Sequence, residues 1–324
     1  MKIIIPAAGI GSRLRPHTHT IPKSLLHVAG KPILAHILDS LIELNPDEIT
    51  IITGFLGEKV QEYVTQHYNI KTRFVNQTEL LGLGYAVHMG LRGTSDGPVL
   101  IILGDTIVEA NMTRFVSQGD NVLGLMPVAD PHRFGIADVE HGLVNRLVEK
   151  PVDPSSNLAI IGLYYIQNSS ILFNHLEKLI VSGQKTRGEI QLTDALQSMI
   201  EEGTIFNAFP VEGWFDCGKR ETLIDTNRHL LEKTTFSEIR EGSVIIPPTF
   251  IGPSAVVEGS VIGPHVSVSD GAVIRNSIVK NSIIGYEAEV TNSILTDSLI
   301  GHRAIVTGDY RCLNVGDSSE VGHF

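Results

Sequence analysis

The sequence predicts an α/β domain built on a mostly parallel sheet, followed by a short parallel β-helix. Two observations carry this. Over residues 1–235, apolar β-branched runs alternate with helical segments, the pattern of a parallel sheet covered by helices. Over residues 236–324, apolar residues recur every six positions, and the stretch from Asn276 to Thr291 is echoed sixteen residues later from Asn292 to Thr307. That periodicity marks a parallel β-helix. A chain of 324 residues is long enough for two such domains.

The elements follow in order. Ile3-Ile4-Ile5 is a buried strand, and Ile49–Thr53 is a second that stops at Gly54. Gly57–His67 reads as a helix, Arg73–Val75 as a strand and Tyr85–Arg92 as a helix. Val99–Leu103 is a buried strand ending in Gly104-Asp105. In such sheets ligands sit outside the carboxyl ends of the strands, so the loop after Ile5 and Asp105 are expected to share a crevice. Between 121 and 166 the runs shorten, as Val122–Val128, Gly135–Val139, Leu143–Glu149 and Ile160–Ile166. They predict an antiparallel insertion or lid. Glu189–Glu201 is a helix, Gly213–Asp216 a strand end, Lys219–Leu231 a helix, and the polar stretch Glu232–Gly242 a linker. Beyond it the apolar steps Ile245, Ile251, Val257 and Ile262, Val268, Ile274 set the hexads. About four coils are expected, stacked because no coil buries its apolar face alone.

Composition narrows the function. Hydrophobic content of 42% with 19% charged residues is ordinary for a globular protein. There is no apolar run of membrane-spanning length, and Met1–Pro6 already reads as a core strand rather than a signal peptide. The two cysteines, Cys217 and Cys312, exclude a disulfide framework and point to a reducing, cytoplasmic setting. With 25 Lys+Arg against 36 Asp+Glu, the chain lacks the basic face of a nucleic-acid binder.

Yet this acidic chain begins with Lys2, Arg13, Arg15, Lys23 and Lys31 and has no acid before Asp39. An anionic ligand is expected there. Pro6-Ala7-Ala8-Gly9-Ile10-Gly11-Ser12-Arg13 is a small-residue loop after a strand, and Pro22-Lys23 follows. Backbone N–H groups in such a loop cradle phosphate, and the cations neutralise it. Two familiar phosphate motifs fail: Leu14 stands where a dinucleotide fingerprint needs Gly, and Gly11 is followed by Ser12-Arg13 instead of Lys-Ser/Thr.

Gly9-x-Gly11-Ser12-Arg13-Leu14-x-Pro16-x-Thr18-x3-Pro22-Lys23 resembles the signature of sugar-phosphate nucleotidyltransferases, with Ser12 where that family usually has Thr. The C-terminal hexads resemble hexapeptide-repeat left-handed β-helices. The resemblance runs from Gly9 to Asp216 and through the repeats from Ser243 to about Val306. It implies the Rossmann-like nucleotidyltransferase fold. It also implies that Arg13 and Lys23 are catalytic, and that Ala8, Gly9, Gly11 and Ser12 hold the nucleotide. Asp105 and Asp216 match the family's metal-binding aspartates, for Mg²⁺, which takes one or two carboxylates and fills its shell with phosphates and waters.

Gln77 can donate and accept, so it can read a pyrimidine edge, and Gly82 lets a backbone group approach the base. Together with Gly82-Leu83-Gly84 it resembles the thymidylyl and uridylyl types. On the sugar side, resemblance gives Glu149 to sugar hydroxyls and Lys150 to the sugar phosphate, with Gly135 and Gly162 shaping the pocket. Phe134 departs from the Tyr often found before the first of these glycines. The segment Gly188–Ala195 also matches the family, where it is expected to cap and pack a helix.

The implied reaction joins a nucleoside triphosphate to a sugar-1-phosphate. The helix Lys219–Leu231 and the short β-helix look like long-form glucose-1-phosphate thymidylyltransferases, favouring dTTP and glucose-1-phosphate. Pro6-Ala7-Ala8-Gly9 and Gly82-Leu83-Gly84 look like bacterial UTP–glucose-1-phosphate uridylyltransferases, so UTP is the alternative. A catalytically silent nucleotide-sugar-sensing or assembly subunit is the rival of another class. The β-helix is expected to serve stability or assembly into a homo-oligomer. His265 and His302 sit in its turns without the clustered acid–base set an acyltransferase needs.

Overall fold

The computed structural model describes residues 1–234, 239–308 and 310–322. The expected domain boundary at 235/236 falls outside the described residues. Two compact units emerge. One comprises Met1–Gly9 and Ile37–Trp214, the other Ile10–His36 and Phe215–Phe324.

The first unit is organised by a nine-stranded sheet. Its strands lie in the order Thr72–Asn76, Glu48–Thr53, Lys2–Pro6, Val99–Ile102, Leu158–Ile166, Asn121–Pro127, Asn207–Pro210, Leu143–Glu149 and Gly135–Glu140. The first four are parallel, with Ile4 of the central strand opposite Thr50 on one side and Ile101 on the other. Leu158–Ile166 joins antiparallel and carries the sheet on through Asn121–Pro127. The expected lid is therefore the second half of the central sheet. Leu158–Ile166 is buried at eight successive positions, so it lies between two covering layers, where a strand reads as a continuous apolar run. A turn at His141-Gly142, both at positive φ, closes the last hairpin.

Helices cover the sheet. Gly57–His67 spans the expected residues, while Leu83–Leu91 starts two residues early. Ser169–Ser182, not anticipated, is capped by Asn168, whose side chain accepts from the amides of Ser170 and Ile171. Leu172, Leu176, Val87, Leu196 and Met199 join Ser169–Ser182, Leu83–Leu91 and Leu192–Glu201 in one buried core. The helix expected from Glu189 begins at Leu192. Glu189–Gln191 is diverted instead into contacts with the loop before Leu83: Ile190 donates to Leu81 O at 2.7 Å and accepts from the Gly84 amide at 2.9 Å. Among the described residues no helix is long and apolar enough to cross a membrane.

In the second unit, short strands stack into three parallel sheets of five, the left-handed β-helix expected from the hexads. Ile251, Val268, Ile284, Ile300 and Val315 stand in register along one sheet. Val257, Ile274, Val290, Val306 and Val321 do so along another. These ladders fill the core. The repeated Asn-Ser pairs have a structural reason. Asn276, Asn281 and Asn292 take the corners at φ 48, 43 and 52°, a conformation Asn tolerates. The serines after them turn inward and bond from coil to coil, Ser277 Oγ accepting from Ser293 N at 3.1 Å and Ser282 Oγ from Ser298 N at 3.0 Å.

Five coils are present among the described residues rather than about four. The fifth escapes the sixteen-residue repeat because it is one residue shorter: Val315 and Val321 follow Ile300 and Val306 after fifteen positions, and Asn314 stands opposite Leu299.

Candidate functional site

In the first unit, a cavity of about 340 Å³ lies beyond the C-terminal ends of Lys2–Pro6 and Val99–Ile102. It is lined by Ala8, Gly9, Gln77, Gly82 and Asp105, five of the expected site residues, together with Leu80, Leu83 and Glu189. Backbone bonds fix its walls. Ala7 N donates to Ile52 O at 2.8 Å, and Gly104 N to Pro6 O at 2.9 Å. Gln77 is buried; its amide donates to Thr53 O at 2.7 Å and its side chain to Glu79 O at 3.0 Å. Gly82 has φ 113°, and a Cβ there would lie 2.6 Å from Ile190 O. Only glycine fits that approach. The cavity thus offers an apolar floor from leucines, an amide side chain, a small-residue backbone and two carboxylates.

The sugar-side residues form a second cluster in the same unit. The Thr193 hydroxyl donates to Glu149 Oε2 at 2.7 Å, and Lys150 Nζ lies 3.1 Å from Glu149 Oε1. A Cβ on Gly135 would stand 3.0 Å from both Glu149 Oε2 and Thr193 Oγ1. Lys150 is held at φ 44°, its amide donating to Phe134 O at 2.9 Å and its carbonyl accepting from Arg187 at 2.7 Å. The charge on Glu149 reaches its neighbours. Burial first, then that charge, raises the Tyr164 phenol. Burial likewise raises the Asp194 carboxyl, a hydrogen bond from Thr186 opposes it, and Glu149 adds to it. Gly162 packs on Leu103, which lines the cavity, and its carbonyl accepts from the Leu103 amide at 3.1 Å. Phe134 meets Trp214 edge-on, ring centroids 5.0 Å apart. The Trp214 Nε1 is buried with no hydrogen-bond partner among the described residues, a donor that a ligand or water would satisfy.

Thr193, Glu189 and Trp214 are the functional candidates that residue patterns missed. The first two fall in Gly188–Ala195, expected only to cap and pack a helix, and Trp214 is the sole tryptophan.

In the second unit the basic loop is folded on itself. Gly11 has φ 68°, and a Cβ there would lie 2.9 Å from Thr18 Cγ2 and 3.1 Å from Lys23 Cβ. Thr18 Oγ1 donates to Gly11 O at 2.9 Å. Ser12–Leu14, His17–His19 and Lys23–Leu25 are successive short 3-10 turns. Arg13 and Asp216 both border Gly218, where a Cβ would stand 3.2 Å from Arg13 Nη2 and 2.8 Å from Asp216 Oδ1. The two metal candidates belong to different units, Asp105 to the first and Asp216 to the second. No group of three or more His, Cys, Asp or Glu gathers among the described residues. Mg²⁺ does not need one, since substrate phosphates complete its shell, so the donor chemistry fits that ion.

Residues 2–233 match the model of the family described as nucleotidyl transferase. A relative from Haloferax volcanii, the low-salt glycan biosynthesis nucleotidyltransferase Agl11, is 38% identical over 242 residues, 72% of this chain and 66% of that protein. The matches span 55 to 66% of the length of the first seven curated relatives. Among solved structures, a UDP-glucose pyrophosphorylase complexed with UDP-glucose superposes with TM-score 0.63 at 26% identity, over 72% of this chain and 99% of that one. A Bacillus anthracis chain assigned as a glucose-1-phosphate thymidylyltransferase, in complex with sucrose, gives 0.64 at 28%, over 74% and 98%. With the matched region taking in both the cavity and the basic loop, the chain belongs to the nucleotidyl transferase family.

Proposed function

We propose that the protein transfers a nucleotidyl group from a pyrimidine nucleoside triphosphate to a sugar-1-phosphate and releases pyrophosphate. The observation that carries this reading is the cavity that gathers Ala8, Gly9, Gln77, Gly82 and Asp105 at the carboxyl edge of a parallel sheet. Gln77 and Gly82 face the base. Glu149 accepts from sugar hydroxyls, and Lys150 holds the sugar phosphate. A phosphate oxygen of the sugar attacks the α-phosphorus; the new P–O bond forms as the bond to the β-phosphate oxygen breaks, and pyrophosphate departs with the electron pair. Gly11, Ser12, Arg13 and Lys23 bind the triphosphate and neutralise the leaving group. Such catalysis is mostly positioning and electrostatics. Asp105 and Asp216 are the carboxylates for Mg²⁺, which when bound offsets phosphate charge.

The favoured pair is dTTP with glucose-1-phosphate, and UTP is the second reading, supported by the UDP-glucose bound in a structural relative. The proposal extends to a cytoplasmic homo-oligomer with residues 1–235 as catalytic domain and 236–324 as β-helix domain. Pyrophosphate release over a matrix of nucleotides and sugar-1-phosphates, with Mg²⁺, tests it. Turnover with a pyrimidine nucleotide supports the reading. Tight nucleotide-sugar binding with no turnover would favour a silent sensing subunit.

A further inference from the structure

The residues proposed to act on the triphosphate do not group with the α/β sheet. Ile10–His36, with Arg13 and Lys23, packs into one compact unit with the β-helix. Contacts within that unit account for this. His17, buried, meets Asn314 through Nε2 and Oδ1 at 2.7 Å, and Thr20 bonds the Asp317 carboxylate. Pro16 presses on Gly316, where a Cβ would lie 2.7 Å from the proline Cγ. Farther along, the turn at Ala29-Gly30 rests on Phe250, whose ring would lie 2.6 Å from a Gly30 Cβ. Beneath that turn Asn227 is fully buried, its Oδ1 accepting from Ala29 N at 2.8 Å and from Ser267 Oγ at 2.6 Å.

Asn314, Gly316 and Asp317 all lie on the fifth coil, beside Val315, which keeps its place in the apolar ladder. The coil's polar residues meet the segment three to seven positions beyond Arg13 in sequence.

We infer that the fifth coil of the β-helix positions the Arg13–Lys23 loop, with Asn314 and His17 as the positioning pair, so that the β-helix is part of the transfer apparatus. The inference rests on the proposed nucleotidyl transfer. Its physical basis is that small misplacements of phosphate-binding groups are costly to rate: an error of about 1 Å can cost roughly 10²-fold.

The test uses the full chain. Asn314→Ala removes the acceptor for His17, whereas Asn314→Asp keeps one. Asn314→Ala is expected to lower kcat about 10-fold or more while leaving KM for the sugar-1-phosphate unchanged. Asn314→Asp should return kcat to within about threefold of wild type. Hydrogen exchange reads the contact without activity: the amides of Leu14, His19 and Ile21 should exchange faster in Asn314→Ala and not in Asn314→Asp. Wild-type kcat and wild-type exchange in Asn314→Ala would overturn the inference. A wild-type protein that turns over no substrate pair would instead defeat the proposed function, and the exchange result would still decide the contact.

Discussion

The hydroxyl of Thr193 donates to Glu149 Oε2 at 2.7 Å, across a gap that only the absent side chain of Gly135 leaves open. A hydrogen bond to a charged group is worth about 1.5–3 kcal/mol, so this one fixes where the carboxylate points. Thr193→Val should raise KM for the sugar-1-phosphate roughly 10-fold with KM for the nucleotide unchanged. Steady-state kinetics with each substrate varied in turn checks it. Equal shifts in both constants would show that Thr193 does not act through Glu149.

Arg13→Ala and Lys23→Ala should each lower kcat by about 10²-fold, as expected for a lost electrostatic donor. Lys23 packs against Gly11 and is nearly buried, so Lys23→Ala could also loosen the loop. Lys23→Met keeps the stem without the charge and separates the two effects. Near-normal turnover in Arg13→Ala and Lys23→Met would remove both residues from the mechanism.

Asp105→Asn should weaken the dependence on Mg²⁺ and lower the rate while the protein keeps its melting temperature. The substitution preserves shape in a cavity wall and deletes only the charge that a hard cation requires. Activity that persists in excess EDTA would end the metal assignment.

Gln77→Glu should disturb the choice of nucleotide more than the choice of sugar. Its amide now donates to Glu79 O at 3.0 Å, and a carboxylate cannot. Discrimination between thymine and uracil should stay modest, because one methyl group is worth roughly 1–3 kcal/mol. Efficient use of ATP or GTP by the wild type would contradict the role given to Gln77.

Residue patterns made some of this visible and hid the rest for physical reasons. Gly57–His67 announces itself by helical spacing, and the β-helix by hexads, because one repeated face is buried in each. Leu158–Ile166 is buried on both faces, so it gives no alternation and no hint of its neighbours. The cavity residues could be read because a strand end, a small-residue loop and an Asp are local features. Thr193 over Glu149, Trp214 beside Phe134, and His17 on Asn314 could not, because each needs partners 44, 80 and 297 positions apart to meet. The fifth coil hid itself by falling one residue short of the sixteen-residue repeat.

The β-helix unit should lose stability in acid because of a partly buried imidazole. His27 stands edge-on to Tyr286, ring centroids 4.9 Å apart. Burial, then the charges of His302 and His36, lowers it to about 3, with Asp270 opposing. Burial also lowers His17, against the Asn314 hydrogen bond and the Asp317 charge. An unfolded histidine takes its proton near pH 6.5. Below that pH the unfolded chain binds protons that folded His27 refuses until about 3. Stability is therefore complete above about pH 6.5 and falls as the pH drops toward 3. At pH 4.5 the loss from His27 alone should be on the order of 2–3 kcal/mol relative to pH 7.5. His27→Phe keeps an aromatic ring against Tyr286 and cannot be protonated. Denaturant unfolding at the two pH values should show a smaller acid loss in His27→Phe by about that amount. Equal losses in the two proteins would mean that His27 is not the group that titrates.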